Sequence, residues 1–187
     1  TTLTHSDTRL EPTSKNSLGD LEISDDETKL YTVNLTSREV IAINATTGAM
    51  INKWAVPTVG LMNSVGPANP NDIRPFGLGY KDGELYVGAI CTGESTVVYD
   101  GTYGGARGNR NTLHAYVWKL NESTGVFTLV FNYRLRDFTT RYFCWQSSWA
   151  NGVRILSPTD DWPSIGQPIL SNIEFYGNDM TIALRDR

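Results

Sequence analysis

The chain has 187 residues, 40% of them hydrophobic, enough for one domain with a real core. Lys and Arg number 16 against 20 Asp and Glu, a net charge of -4, and no basic run is long enough to track a phosphate backbone, so nucleic acid is not expected as a partner. No apolar stretch approaches the roughly 20 residues of a membrane helix, the longest, such as Val126 to Phe131, being interrupted by Thr or Asn, so no membrane insertion is expected.

Residues 1–17 read as an N-terminal extension. They lack an initiator Met and a charged-then-apolar signal pattern, as a mature form or an excised fragment would. From residue 18 onward, apolar and polar residues alternate over short runs rich in Val, Ile, Tyr, Phe and Thr, as in Lys29 to Asn34 and Glu84 to Gly88. Such runs are strands. Between them stand turn clusters, Ser24 to Glu27, Lys81 to Gly83 and Tyr176 to Asp179, with the side-chain caps and positive-φ positions that tight hairpins need. No helix of useful length is readable.

A strand-turn-strand unit recurs three times, from Leu21 to Tyr31, Leu78 to Tyr86 and Ile173 to Thr181, with Leu30, Leu85 and Met180 in equivalent places. After the first two copies a second hairpin follows, whose turns, Ile43 to Gly48 and Leu120 to Gly125, also match. Two hairpins in series make a four-stranded antiparallel unit, which cannot bury both faces alone. Radial stacking into a β-propeller of roughly 4 to 8 blades solves that problem. The expected fold is all-β, a partial propeller of about two and a half blades. Blade one spans 18–57, a linker 58–73, and blade two 74–135 with a loop insertion at 92–112. An aromatic-rich insertion fills 136–167, and 168–187 is the first half of a truncated third blade. A sandwich of similar hairpins is the alternative.

The motifs Gly19 to Ser24, Leu30 to Leu35, Arg74 to Leu78, Gly83 to Gly88, Pro168 to Phe175 and Leu184 to Arg187 together resemble the propeller-type segment of very large bacterial surface proteins, adhesin-like and carrying serine-aspartate-repeat B-type domains. That resemblance covers nearly everything from Leu18 onward and implies a secreted or cell-surface location, but brings no catalytic residues with it. Such proteins often carry a Cys just before the Arg-Pro-Phe-Gly motif; Val65 to Asp72 has none, which leaves Cys144 as the only mate for a disulfide to Cys91. Two buried free thiols are the other reading of the pair.

In a propeller the first strand of each blade lines the central channel, which makes Asp20, Glu22, Arg74, Asn172 and Glu174 channel-mouth candidates. Their carboxylates and amide could hold a hard cation such as Ca²⁺, and Arg74 could pair with an acidic ligand. Capping of strand ends and pairing between blades is the plainer reading. On the loops, Tyr103, Arg107 and Arg110 in the first insertion and Trp145, Trp149 and Trp162 in the second are candidates for binding a protein or a glycan. His5 and His114 have no metal-type companion at short spacing. The sequons at Asn34, Asn44 and Asn121 are glycan acceptors if the source is a secreted eukaryotic protein.

The expected function is therefore a non-enzymatic scaffold or binding module of an adhesin-like protein, partnered by the rest of a parent propeller or by other copies of the chain. The rival is a channel-mouth hydrolase, lyase or oxidoreductase, or a metal-binding propeller fragment.

Overall fold

A computed structural model describes residues 14–98, 108–138, 142–146 and 166–187. The fold is all-β, as expected, and its antiparallel sheets are open. The first sheet runs in sequence order through β1 (Leu18–Ile23), β2 (Lys29–Asn34), β3 (Glu39–Asn44) and β4 (Met50–Ala55). A small hairpin of β5 (Met62–Asn63) and β6 (Gly66–Pro67) follows. The second sheet holds β7 (Ile73–Lys81), β8 (Glu84–Cys91), β9 (His114–Asn121) and β10 (Val126–Arg134), again in sequence order. A single helical turn, Leu135–Phe138, closes β10, and β11 (Pro168–Tyr176) and β12 (Asp179–Asp186) form the last hairpin.

The turns follow from local chemistry. In the β3–β4 and β9–β10 turns an Asn side chain accepts from the amides two and three residues on, 3.0 and 2.8 Å at Asn44 and 3.1 Å twice at Asn121. A glycine at positive φ, Gly48 or Gly125, then closes the turn onto the Asn carbonyl. The β2–β3 turn is a third copy: Asn34 accepts from Thr36 and Ser37, and Arg38 takes the positive-φ position at +58°. All three sequon asparagines thus serve as turn caps.

Equivalent features mark the three first strands. β1, β7 and β11 lie against one another in series, β1 beside β7 and β7 beside β11. Each is bulged just before the equivalent residues Leu21, Leu78 and Ile173. Glycine permits the approach: a Cβ on Gly77 would come within 2.8 Å of the Leu170 oxygen and the Asn172 nitrogen, and one on Gly19 within 2.9 Å of the Phe76 oxygen. The hairpin tips are strung together as well, since Gly83 N–H donates to Asp25 at 3.1 Å and Lys81 donates to the Gly177 carbonyl.

Alternation sends one set of β8 and β9 side chains to each neighbouring sheet. Leu85, Val87, Tyr116, Trp118 and Leu120 pack with Leu78 against Tyr31, Val33, Val40, Ala42 and Trp54 of the first sheet. Ile90, Ala115 and Val117 pack on the other side with Leu170 and Ile173, joined by Phe175, Met180, Ile182 and Leu184. The second sheet is thus covered on both faces, which explains the near-continuous apolar character of β8 and β9. Within 58–73, Leu61 and Ala68 are buried in the first cluster.

Candidate functional site

The expected channel-mouth residues divide into two groups. Asp20, Glu22, Asn172 and Glu174 come together where β1 and β11 flank β7. Asp20 Oδ1 accepts from its neighbour Leu21 N–H and Oδ2 from Leu78 N–H, both at 3.0 Å, so one carboxylate straps the bulge of the first sheet to that of the second. Asn172 stands at the equivalent place and makes the same local bond, 2.7 Å to Ile173 N–H, while its Nδ2 donates to Glu174 at 3.0 Å. Burial raises the Asp20 pKa, and the Glu174 charge adds to that; Glu22 is raised by burial and then by Glu174 and Asp20.

Arg74 stands apart from this group, facing Arg38, Glu94 and Asp72; burial first, and then Arg38, lowers its pKa. Its Nε is buried with no hydrogen-bond partner among the described residues. Asp72 is engaged by Ser95, whose N–H and Oγ donate to it at 2.9 and 2.7 Å. Among the described residues no three His, Cys, Asp or Glu side chains are grouped to hold a metal ion, so the Ca²⁺ expectation finds no carboxylate trio there. The Asp20 carboxylate accepts from two backbone amides, as a structural strap does, while the Asn172 side chain joins its neighbour's amide to the Glu174 carboxylate.

The loops build a different place. Gly108, at a φ of +64°, presses against Cys144, where a Cβ would lie 2.9 Å from the sulfur. Asn109 N–H donates to Thr96 Oγ1 at 2.8 Å, and Asn109 Oδ1 caps the short turn 110–112 by accepting from Asn111 N–H at 3.1 Å. Arg110 Nε donates to the Tyr142 carbonyl at 2.8 Å, and its guanidinium lies 4.5 Å from the centre of the Phe143 ring. From the helical turn after β10, Arg136 Nη1 donates to Asn111 Oδ1 at 2.8 Å. These segments enclose a cleft of about 320 Å³ lined by Gly108, Asn109, Arg110, Asn111, Arg136 and Phe143.

Of the other loop candidates, Trp145 is not a binding platform. It is 1% exposed, its Nε1 donates to the Pro168 carbonyl at 2.9 Å and Arg187 covers the ring at 4.6 Å, so it fills the interior beneath the loop. Tyr103, Arg107, Trp149 and Trp162 lie outside the described residues. Cys91 and Cys144 are buried free thiols; burial pushes Cys91 up to about 12, which keeps it protonated and inert.

One constellation was not anticipated. His114 is buried between Ser64 and Asn132. Its Nδ1 meets Asn132 Oδ1 at 2.6 Å, while its Nε2 takes Ser64 N–H at 3.1 Å and Ser64 Oγ at 2.8 Å. Asn132 Nδ2 donates to the Met62 carbonyl at 3.3 Å, which fixes its oxygen toward the imidazole and assigns the proton to Nδ1. Tyr116 adds a bond to the same Met62 carbonyl at 3.0 Å. The spacing resembles a nucleophile, base and orienter. The imidazole lone pair, however, is shared with a backbone N–H that can only donate, so the group clasps the β5–β6 hairpin to β9 and β10. Ser64 and Asn132 lie 50 and 18 residues from His114, and no local motif announces them.

No family model matches the chain. It is similar to two proteins of Dictyostelium discoideum. Against colossin-A it is 29% identical over 116 residues, covering 61% of this chain and 1% of colossin-A. Against colossin-D it is 26% identical over 183 residues, covering 95% of this chain and 16% of colossin-D. The chain therefore spans a small part of either relative.

Proposed function

We propose that the chain is a non-enzymatic scaffold and binding module of a secreted or cell-surface adhesin-like protein, its sheets forming a section of a radial β-propeller and its loops carrying recognition. The observation behind this reading is the open face of the first sheet. Strand register places Leu21, Ile23, Leu30, Ile41, Ile43 and Met50 on one side of it, and Leu21 and Met50 are 61% and 63% exposed. The equivalent face of the second sheet, with Leu78 and Leu85, and that of the third, with Ile173 and Met180, each pack on the sheet before. A further sheet of the same kind fits that face. The other face of the last hairpin, bearing Asn172, Glu174 and Thr181, is polar and so a poor complement to it. Completion of the structure by another part of a longer polypeptide accounts for both ends better than head-to-tail copies of this chain do.

Hydroxyl-radical footprinting of the full polypeptide that carries this chain tests the reading. Leu21, Ile23 and Met50 are expected to be as protected there as Leu78. Labelling as fast as that of exposed Val126 would overturn it.

A further inference from the structure

β2 and β8, the second strands of the first two sheets, are hydrogen-bonded on both sides, by β1 and β3 and by β7 and β9. β12 takes the same place in the third sheet, with Met180 equivalent to Leu30 and Leu85, yet among the described residues it pairs with β11 alone. It therefore offers an edge of eight residues, Asp179–Asp186, with no proline to blunt it. The neighbouring sheet shows a second difference. The pair Val117 and Phe131 repeats the pair Val40 and Trp54, which matches Phe131 and Tyr133 of β10 to Trp54 and to Val56 just after β4. Trp54 and Val56 are 9% and 4% exposed within the first core cluster, and the β9–β10 turn closes over Trp54, where a Cβ on Gly125 would lie 3.2 Å from the indole. Tyr133, stacked on Phe131 with ring centres 6.1 Å apart, is 42% exposed. The outer half of the second sheet is thus open at the place where the outer half of the first is covered.

We propose that the β12 edge and the Phe131–Tyr133 shelf receive a further β-hairpin of the polypeptide that carries this chain, a reading that rests on the sheet stacking proposed above. The chain twice shows what such a hairpin is. Opposite Leu30 and Leu85 stand Ile43 and Leu120, and opposite Thr32 and Val87 stand Ile41 and Trp118. The strand that meets Met180 and Ile182 accordingly carries an apolar residue at both places, followed at once by an Asn-x-Ser/Thr-Thr-Gly turn like those at Asn44 and Asn121. Charge sets the residue x. In the second sheet it is Glu122, whose carboxylate accepts from Lys29 Nζ at 2.8 Å and Tyr31 O–H at 2.6 Å on the sheet before. Glu84 and Tyr86 hold those two places in the second sheet, so the incoming turn carries Lys or Arg at x. A second copy of this chain is no donor, because both of its hairpins of this kind are already paired, to β2 and to β8.

The test compares the full polypeptide with the isolated chain by hydrogen exchange, and maps the occupant by photo-crosslinking from p-benzoylphenylalanine placed at the exposed Tyr133. The alternate amides of β12 that point away from β11 are expected to exchange about a hundredfold more slowly in the full polypeptide than in the isolated chain. The crosslink should land outside residues 1–187, in a segment with the pattern apolar-x-apolar-Asn-Lys/Arg-Ser/Thr-Thr-Gly. β12 amides that exchange alike in both proteins would overturn the proposal. So would a crosslink that returns to residues 1–187, reaches a second copy or another protein, or lands in a segment without that pattern. Footprinting at Leu21 and Met50 reads the first sheet's open face, which neither measurement touches, so failure there and failure here are told apart.

Discussion

Leu21 and Leu78 hold the same place in their sheets, just after the bulge of the first strand, yet Leu78 is fully buried and Leu21 is 61% exposed. Ile173, the third occupant, is 1% exposed. The side chain is apolar in all three, so its character follows the repeat and not its solvent exposure. What decides burial is whether a neighbouring sheet is present. On the proposed reading this face docks a further sheet, because scattered exposed apolar residues would not reproduce the pattern of two buried interfaces.

That comparison can be sharpened by substitution. Leu78→Ala removes a fully buried side chain from the interface of the first two sheets and should cost about 2–5 kcal/mol, whereas Leu21→Ala should stay within about 0.5 kcal/mol; urea denaturation of the two variants reads the contrast directly. A comparable loss from Leu21→Ala would mean that its face is already covered. Next in size is Asp20→Ala, which strands the Leu78 amide at the junction of two sheets. It should cost about 1–3 kcal/mol and speed hydrogen exchange at Leu78 far more than at Leu85. Uniform exchange at both amides would show that the carboxylate is no strap.

The smallest effect concerns pH. Burial lowers the His114 pKa, with Arg134 adding to the shift while Asn132 and Asp137 oppose it. The unfolded chain therefore takes up this proton before the folded one does. The stability tied to a neutral His114 is complete above the ordinary histidine value of about 6.5 and declines as the pH falls below it. Exchange of the Ser64 amide, which donates to Nε2, should rise relative to its intrinsic rate over the same fall in pH. In His114→Gln, which has no proton to gain there, the rise should disappear; a Ser64 amide indifferent to pH in the parent would contradict the clasp.

Much of the fold was legible because its determinants are local. The turns at Asn44 and Asn121 carry their own caps and glycines, and alternation within each run identifies the strands. The matching turn at Asn34 is harder to see, because Arg38 holds the position where the other two have glycine, tied by its guanidinium to the Pro70 carbonyl at 2.8 Å. The bulges leave no mark in composition. The Asp20 strap reaches a partner 58 residues away, and nothing local points to it. The same holds for the cleft: Arg110 was readable as a loop cation, but Arg136 arrives from a turn 25 residues beyond its partner Asn111. Trp145 misled for the opposite reason, since aromatic residues in a long loop look exposed until the backbone that buries them is placed.

The most direct measurement is the native mass of the isolated chain by light scattering over a range of concentrations, beside that of the double variant Leu21→Asp and Met50→Asp. Both side chains are exposed, so the substitutions leave the packed interfaces alone. In the isolated chain the exposed apolar face can pair only with its like on a second copy, so the parent chain should gain mass as concentration rises, while the double variant should remain a monomer with the same circular dichroism. A parent chain that stays monomeric throughout, or one whose association the two aspartates do not touch, would contradict the account.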